Sequence, residues 1–216
     1  MSQEAKAPAA RGERRRLELI RVAEDVFLEH GYADTTMDDV AQRAGASKAT
    51  LYKFFGSKEG LFAASVHQHV PGLMPGPDDD PDGHVYDRLI AWGHGVIDMI
   101  ATPRSVALYR AIVSEVTRAP ELGRLFYANG PAEAERAVAA LIRQGIEHGE
   151  LACDDPEMLA DTFVSMVLGS WLRRALVGII SPRPGDEQVK RAADMLFTLY
   201  GTKKNRARPG NTRSNS

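Results

Sequence analysis

T-M-D-D-V-A-Q-R-A-G-A-S-K-A-T-L-Y-K-F-F, running from Thr36 to Phe55, has the pattern of two short helices joined by a tight turn. Thr36 followed three residues on by Asp39 resembles a capping box, with a shorter acid than usual. The helix it opens ends near Ala44. Gly45 then supplies the backbone freedom that a tight turn needs. Ser47 is a good N-cap for the second helix, Lys48–Phe55. Two short helices in this relation form the layout of a helix-turn-helix, the second helix of which lies in the major groove of duplex DNA.

Winding the second helix at about 100° per residue separates its side chains. Leu51 and Phe55 share the inner side, able to pack on Val40 and Ala41 of the preceding helix. Ala49, Thr50 and Lys53 point the opposite way. Lys48 and Tyr52 flank that outer face on one edge and Phe54 on the other. Small Ala49 allows close approach to the bases. Thr50 can bond a base edge or touch a thymine methyl, and Lys53 can reach guanine acceptors. Lys48 and Tyr52 sit where phosphates border the groove. Lys58, at the next helix start, adds its charge to free N–H groups, and Thr36 is placed for a phosphate contact too. The DNA-contacting set is therefore Thr36, Ser47, Lys48, Ala49, Thr50, Tyr52, Lys53, Phe54 and Lys58. Lysines and a tyrosine occupy this face while acids are kept off it. Arg14, Arg15 and Arg16 are either additional phosphate contacts or an ordinary solvated charge run. The competing reading is a helical corner inside a protein-interaction module without DNA binding.

Outward from this stretch, Leu19, Ile20, Ala23, Val26 and Phe27 recur at helical spacing across Glu13–His30. Ser57 caps a fourth helix running to about Val70. Pro71 to Gly83 holds four prolines, three glycines and four aspartates, which no regular element survives, so a domain boundary falls there. Beyond it the periodicity predicts helices at about Val85–Ile100, Pro103–Val116, Glu121–His148 with a kink at Gly130-Pro131, Pro156–Ile180 and Asp186–Tyr200. No segment shows sustained two-residue alternation with β-branched residues, so the fold class is all-α. Residues 13–70 form the DNA-binding domain and 84–200 a second helical domain. Residues 1–12 and 202–216 read as disordered tails.

Composition bounds the function. The 216 residues are 44% hydrophobic with a formal net charge of −2, so nucleic-acid affinity must come from a local patch. Cys153 is the only cysteine, which fits a reducing cytoplasm, and Asp154-Asp155 beside it argue for an inert thiol. No signal peptide or membrane-length apolar run is present, so the expected location is cytoplasmic with no membrane contact. The phosphate-loop, dinucleotide, zinc-protease and serine-elbow motifs are missing, so no enzyme and no cofactor is expected. His67 and His69 with Asp78–Asp80 and His84 suggest a metal, but the two histidines point about 200° apart on a helix and cannot share an ion, so no metal site is expected.

G-A-S-K-A-T-L-Y-K-F-F-G-S-K-E-G-L-F, preceded by T-M-D-D-V-A-Q-R-A and a first helix ending in F-L-E-H-G-Y, resembles the TetR family of bacterial transcriptional regulators. The likeness covers about Arg14 to Val70 and includes Thr36, Ala41, Gly45, Ser47, Leu51, Tyr52, Phe55 and Lys58. Gly56 departs from it, where the family often has proline or lysine. The resemblance implies an all-helical homodimer, a variable C-terminal domain that binds a small-molecule effector, and repression of an operator released by that effector. P-E-L-G-R-L-F-Y and I-E-x-G-E-L resemble one subgroup of the family's ligand-binding domains more weakly.

One helix-turn-helix offers few base contacts, and two in adjacent major grooves make a specific reader of a pseudo-palindrome, so a dimer interface is needed. The helices at 156–180 and 186–200 are apolar over more surface than one domain requires. Phe163, Val167, Ser170, Val189 and Leu196 are the expected dimer contacts, in a four-helix bundle with the partner's copies. Trp92, Met99, Tyr109, Phe126 and Tyr127 are large or adaptable side chains suited to lining an effector pocket. Taken singly, each of these ten residues reads more readily as plain core.

Overall fold

The computed structural model describes residues 6–68, 83–179 and 183–202. Every regular element among them is a helix, and the extended pairing is one isolated antiparallel bridge between Leu151 and Gly201. In chain order the helices are α1 (Lys6–His30), α2 (Met37–Arg43), α3 (Lys48–Phe55), α4 (Lys58–His67) and α5 (Val85–Ile100). They continue as α6 (Pro103–Glu115), α7 (Pro120–Asn129), α8 (Pro131–Glu147), α9 (Pro156–Leu176) and α10 (Asp186–Tyr200). No helix among the described residues is long and apolar enough to cross a membrane.

The core divides into two compact units, Met1–Pro71 with Pro103–Ala132 and Gly72–Thr102 with Glu133–Ser216. This differs from a boundary at Pro71–Gly83 that leaves all of 84–200 on one side. The reason lies in burial. Leu108 and Ile112 of α6, with Ala119 and Leu122 at α7, join the buried cluster formed by Leu19, Ala23, Val26 and Phe27 of α1, Val40 of α2, Leu51 of α3 and Phe62 of α4. Phe27, Tyr32 and Phe62 meet at centroid distances of 5.2–5.7 Å in tilted and edge-on pairs, a geometry that adds to their area burial. Periodicity marks which face of a helix is apolar but not which neighbour covers it.

In the second unit α5, α8, α9 and α10 share one core. Val85, Leu89, Val138, Ile142, Ala160, Phe163, Val167, Val189 and Ala193 are fully buried there. The Glu150 carboxylate, 7% exposed, accepts from the Val85 N–H at 3.2 Å and so caps α5 from the loop after α8. The backbone of the same loop ties down the end of α10, with Thr202 N–H donating to Glu150 O and Ala152 N–H to Tyr200 O. That gives the I-E-x-G-E-L stretch its structural role.

Several expectations need correction. α1 starts at Lys6, so residues 6–12 are helical rather than tail, while 1–5 lie outside the described residues. Thr202 is held by the loop, and 203–216 lie outside. The helix expected to end near Val70 ends at His67, and residues 69–82, including His69, Asp78–Asp80 and most of the Pro71–Gly83 segment, lie outside. At Gly130 (φ −129°, ψ −90°) the chain changes direction outright, making α7 and α8 separate helices rather than one kinked helix.

α9 also breaks, which periodicity does not show. Gly169 takes φ 53°, ψ −145°, a region open in practice to glycine alone. The Met166 carbonyl, just before the break, accepts from the Gln188 side-chain amide of α10 at 2.7 Å.

The expected dimer contacts divide between core and surface. Phe163, Val167 and Val189 are fully buried within the chain and Leu196 is 1% exposed, so four of the five are intrachain core. Ser170 alone is exposed. The apolar surface left open is on the other faces: Met158 and Val177 at the two ends of α9, Ile179 beyond it, and Met195 and Leu199 of α10.

Candidate nucleic-acid interface

Helix α2 begins with the capping box its sequence announces. The Thr36 hydroxyl accepts from the Asp39 N–H at 3.2 Å and donates to the Asp39 carboxylate at 2.7 Å, and the carboxylate also accepts from the Thr36 N–H at 2.8 Å. These bonds hold the Asp39 carboxyl below its ordinary value. The Thr36 hydroxyl proton is thus already used, so a phosphate would have to displace Asp39. Arg43 at the far end of α2 pairs with Glu29 of α1 through both its terminal nitrogens, at 2.8 and 2.6 Å.

The turn closes as expected. Gly45 has φ +55°, and the Ala46 N–H donates back to Ala41 O at 2.9 Å. Arg15 of α1 donates to Ala44 O at 3.2 Å, a clamp on the turn that the sequence pattern did not reveal. Ser47 caps α3, accepting from the Thr50 N–H at 3.2 Å, with its hydroxyl 2.8 Å from that of Thr50. Leu51 is fully buried beneath the helix.

On the opposite side Lys48, Ala49, Tyr52 and Lys53 are exposed and Thr50 is half-buried. No hydrogen bond or ion pair engages the Lys53 ammonium among the described residues. Lys48 is engaged: its Nζ donates to Asp38 of α2 at 2.7 Å, which raises its pKa. The acids are therefore not all kept off this face. Both partners are at least half exposed, and such pairs cost little to exchange for a phosphate.

Two further expectations change. The Phe54 ring is partly buried against the core of the first unit, 6.0 Å from the Phe55 ring, so it is a packing residue rather than an open groove contact. The Lys58 ammonium donates to the carbonyls of Tyr32, Ala33 and Thr35. Its protons face the α1–α2 turn instead of solvent. Of the arginine run, Arg15 clamps Ala44 and Arg16 lies over the Phe55 ring at 5.8 Å, while Arg14 is exposed.

The residues expected to line a pocket are not gathered within either unit. Trp92, 6% exposed, and Met99 belong to the core of the second, with the Trp92 ring 6.1 Å from Phe163. Tyr109 and Phe126 stack edge-on at 4.8 Å in the first, and Tyr127 is 52% exposed. The Trp92 indole N–H is buried without a partner among the described residues.

Comparison with known proteins divides the chain between residues 65 and 87. Residues 19–65 match the model for bacterial regulatory proteins of the tetR family, and residues 87–202 match the AefR-like transcriptional repressor C-terminal domain. The transcriptional activator FasR of Mycolicibacterium smegmatis is 44% identical over 62 residues, a match spanning 29% of this chain and 28% of that protein. The crystal structure of a TetR transcriptional regulator from Agrobacterium tumefaciens superposes with a TM-score of 0.72 at 28% identity, covering 88% of this chain and 96% of that one. The structure of the flavonoid-responsive regulator FrrA superposes with a TM-score of 0.69 at 31% identity, covering 88% and 99%.

Proposed function

Since this chain belongs to the TetR family of bacterial transcriptional regulators, we propose that it is a repressor that binds a pseudo-palindromic operator as a homodimer and is released by a small-molecule effector. The observation that carries the DNA-binding part is the outer face of α3, where Ala49, Tyr52 and a Lys53 unengaged among the described residues stand exposed over a fully buried Leu51. Thr50 and Lys53 read base edges, and Tyr52, Lys48 and Arg14 contact phosphates. The AefR-like repressor match over residues 87–202 supports repression. The match to the activator FasR spans only 29% of this chain and carries less weight for the direction of regulation.

Dimerisation uses the open apolar side chains Met158, Val177, Ile179, Met195 and Leu199. The effector is an aromatic or amphipathic molecule. FrrA, named as flavonoid-responsive, supports that class, and the buried, unpartnered Trp92 N–H offers a hydrogen bond to an acceptor on such a ligand. Met99, packed against the same core as Trp92, remains a further candidate for contacting it. The protein acts in the cytoplasm, where the operator is.

A binding selection with the full chain on a random duplex pool tests the core of this reading. Enrichment of two inverted half-sites about one helical turn apart, 10–10.5 bp centre to centre, or a multiple of it, is the expected result. Absence of any enriched sequence, with no salt-dependent duplex binding, would refute it.

A further inference from the structure

Lys58 is the first residue of α4, and an ammonium has three N–H bonds and no acceptor. All three have partners: Tyr32 O at 2.9 Å, Ala33 O at 3.3 Å and Thr35 O at 3.0 Å. The same nitrogen lies 4.4 Å from the centroid of the Tyr32 ring, a cation–π contact. That ring is 5% exposed and packed against Phe27 and Phe62. A phosphate oxygen would gain this charge only by taking a proton away from one of the carbonyls.

The three carbonyls belong to the non-helical connection between α1 and α2. Its other crosslinks among the described residues include the Thr35 hydroxyl donating to Gly31 O at 2.7 Å, a long Thr35 N–H to Tyr32 O bond of 3.4 Å and an exposed Asp34–Arg118 ion pair at 3.8 Å. The connection ends at Thr36, the cap of α2. Whatever sets its path therefore sets the direction of α2, and through the Gly45 turn that of α3. Lys53 and Lys48 differ sharply from Lys58. The first is unengaged among the described residues, and the second meets one exposed carboxylate.

We propose that Lys58 is a positioning residue for DNA binding and not a phosphate contact: its ammonium staples the turn of residues 31–36 so that α2 and α3 are held at the angle the groove requires. This rests on the DNA-binding reading of α3. Charge alone does not suffice for such a staple. An arginine fork suits planar bidentate acceptors and not three converging carbonyls, yet it would serve a phosphate as well as lysine does.

The test uses the full chain, a mixed-sequence duplex, and the duplex that the wild-type protein enriches from a random pool. Affinity is measured against salt for wild type, Lys58→Arg and Lys58→Met, well below each melting temperature. The NMR signal of the wild-type Lys58 ammonium is followed with and without DNA. A staple predicts that both variants lose about tenfold or more in affinity on both duplexes with an unchanged salt slope, because no released counterion is lost. It also predicts that the ammonium signal stays in place when DNA is added. A Lys58→Arg protein with wild-type affinity would overturn the proposal. So would a Lys58→Met slope lower by about one unit, or an ammonium signal that moves on DNA binding. Should Lys58→Met fail to fold, Lys58→Arg and the wild-type signal decide between the same outcomes. If wild type binds no duplex in a salt-dependent way, the DNA-binding reading itself has failed and the proposal falls with it, a result seen before any variant is made.

Discussion

Leu199→Glu and Leu196→Glu, three residues apart on α10, should have opposite consequences. Leu199 is 66% exposed within the chain and Leu196 is 1% exposed. Fully burying a leucine is worth about 1.5–3 kcal/mol, so covering the open two thirds of Leu199 at a dimer contact supplies about 1–2 kcal/mol per protomer. Glutamate removes that gain from both protomers, about 2–4 kcal/mol in all, and adds the cost of bringing two like charges out of water, several kcal/mol more. At about 1.4 kcal/mol per tenfold, the dimer should weaken by roughly a thousandfold or more. The monomer should keep its fold, because the substituted side chain already faces water. At Leu196 the same charge enters the core beside Phe163 and Val189 with no partner, and the second unit should not fold. Sedimentation velocity across a concentration series and circular-dichroism melting separate the two effects. A Leu199→Glu protein that sediments as a wild-type dimer, or a Leu196→Glu protein that melts normally as a monomer, would refute the assignment of the α10 faces.

Lys53→Ala should relax base preference at one operator position at a cost of about 1–3 kcal/mol, and an unchanged profile in a binding selection would remove Lys53 from base readout. Gly169→Ala should destabilise by about 1–3 kcal/mol in thermal melting, since its φ is 53° and a Cβ there would lie 2.5 Å from the Gln188 side-chain nitrogen; a wild-type melting temperature would mean that α9 runs straight. Acid should loosen the DNA-binding head: the Arg43 bond holds Glu29, and the Thr36 bonds hold Asp39, below their ordinary values of 4.5 and 3.8. Their stabilisation is complete above those values and is lost as pH falls through the lower folded ones. Asp39→Asn should flatten the melting temperature's pH dependence below 3.8, and an unaltered acid limb would show that the capping carboxylate does not carry it.

Much of the head is legible in residue order because its determinants are local. Thr36, Asp39, Gly45 and Ser47 act on backbone within a few positions of themselves, so caps and turn follow from spacing alone. The buried side chains of α1 recur at helical period for the same reason. Opposing faces of one helix are also visible, and Leu51 under Ala49 and Lys53 needs no knowledge of the rest of the molecule. The family resemblance rests on these same local positions.

Partners distant in sequence are a different matter. Lys58 looks like a solvated cation until the turn around Tyr32, 26 residues earlier, brings its carbonyls against it. Lys48 finds Asp38 only once α2 and α3 have crossed. Periodicity correctly made α9 and α10 apolar, but it cannot say which apolar stripe meets its own chain and which is left for another copy. Phe163, Val167, Val189 and Leu196 were assigned to the wrong side for that reason. The tertiary structure also decided that α6 and α7 share a core with the first four helices and that α9 breaks at Gly169, beside the Met166 carbonyl that Gln188 of α10 binds. Local sequence sets caps, turns and the amphipathic stripe of each helix, because those depend on backbone within one or two turns. Which stripe is covered, and which charge is spent on a carbonyl rather than offered to DNA, depends on packing between segments far apart in the chain.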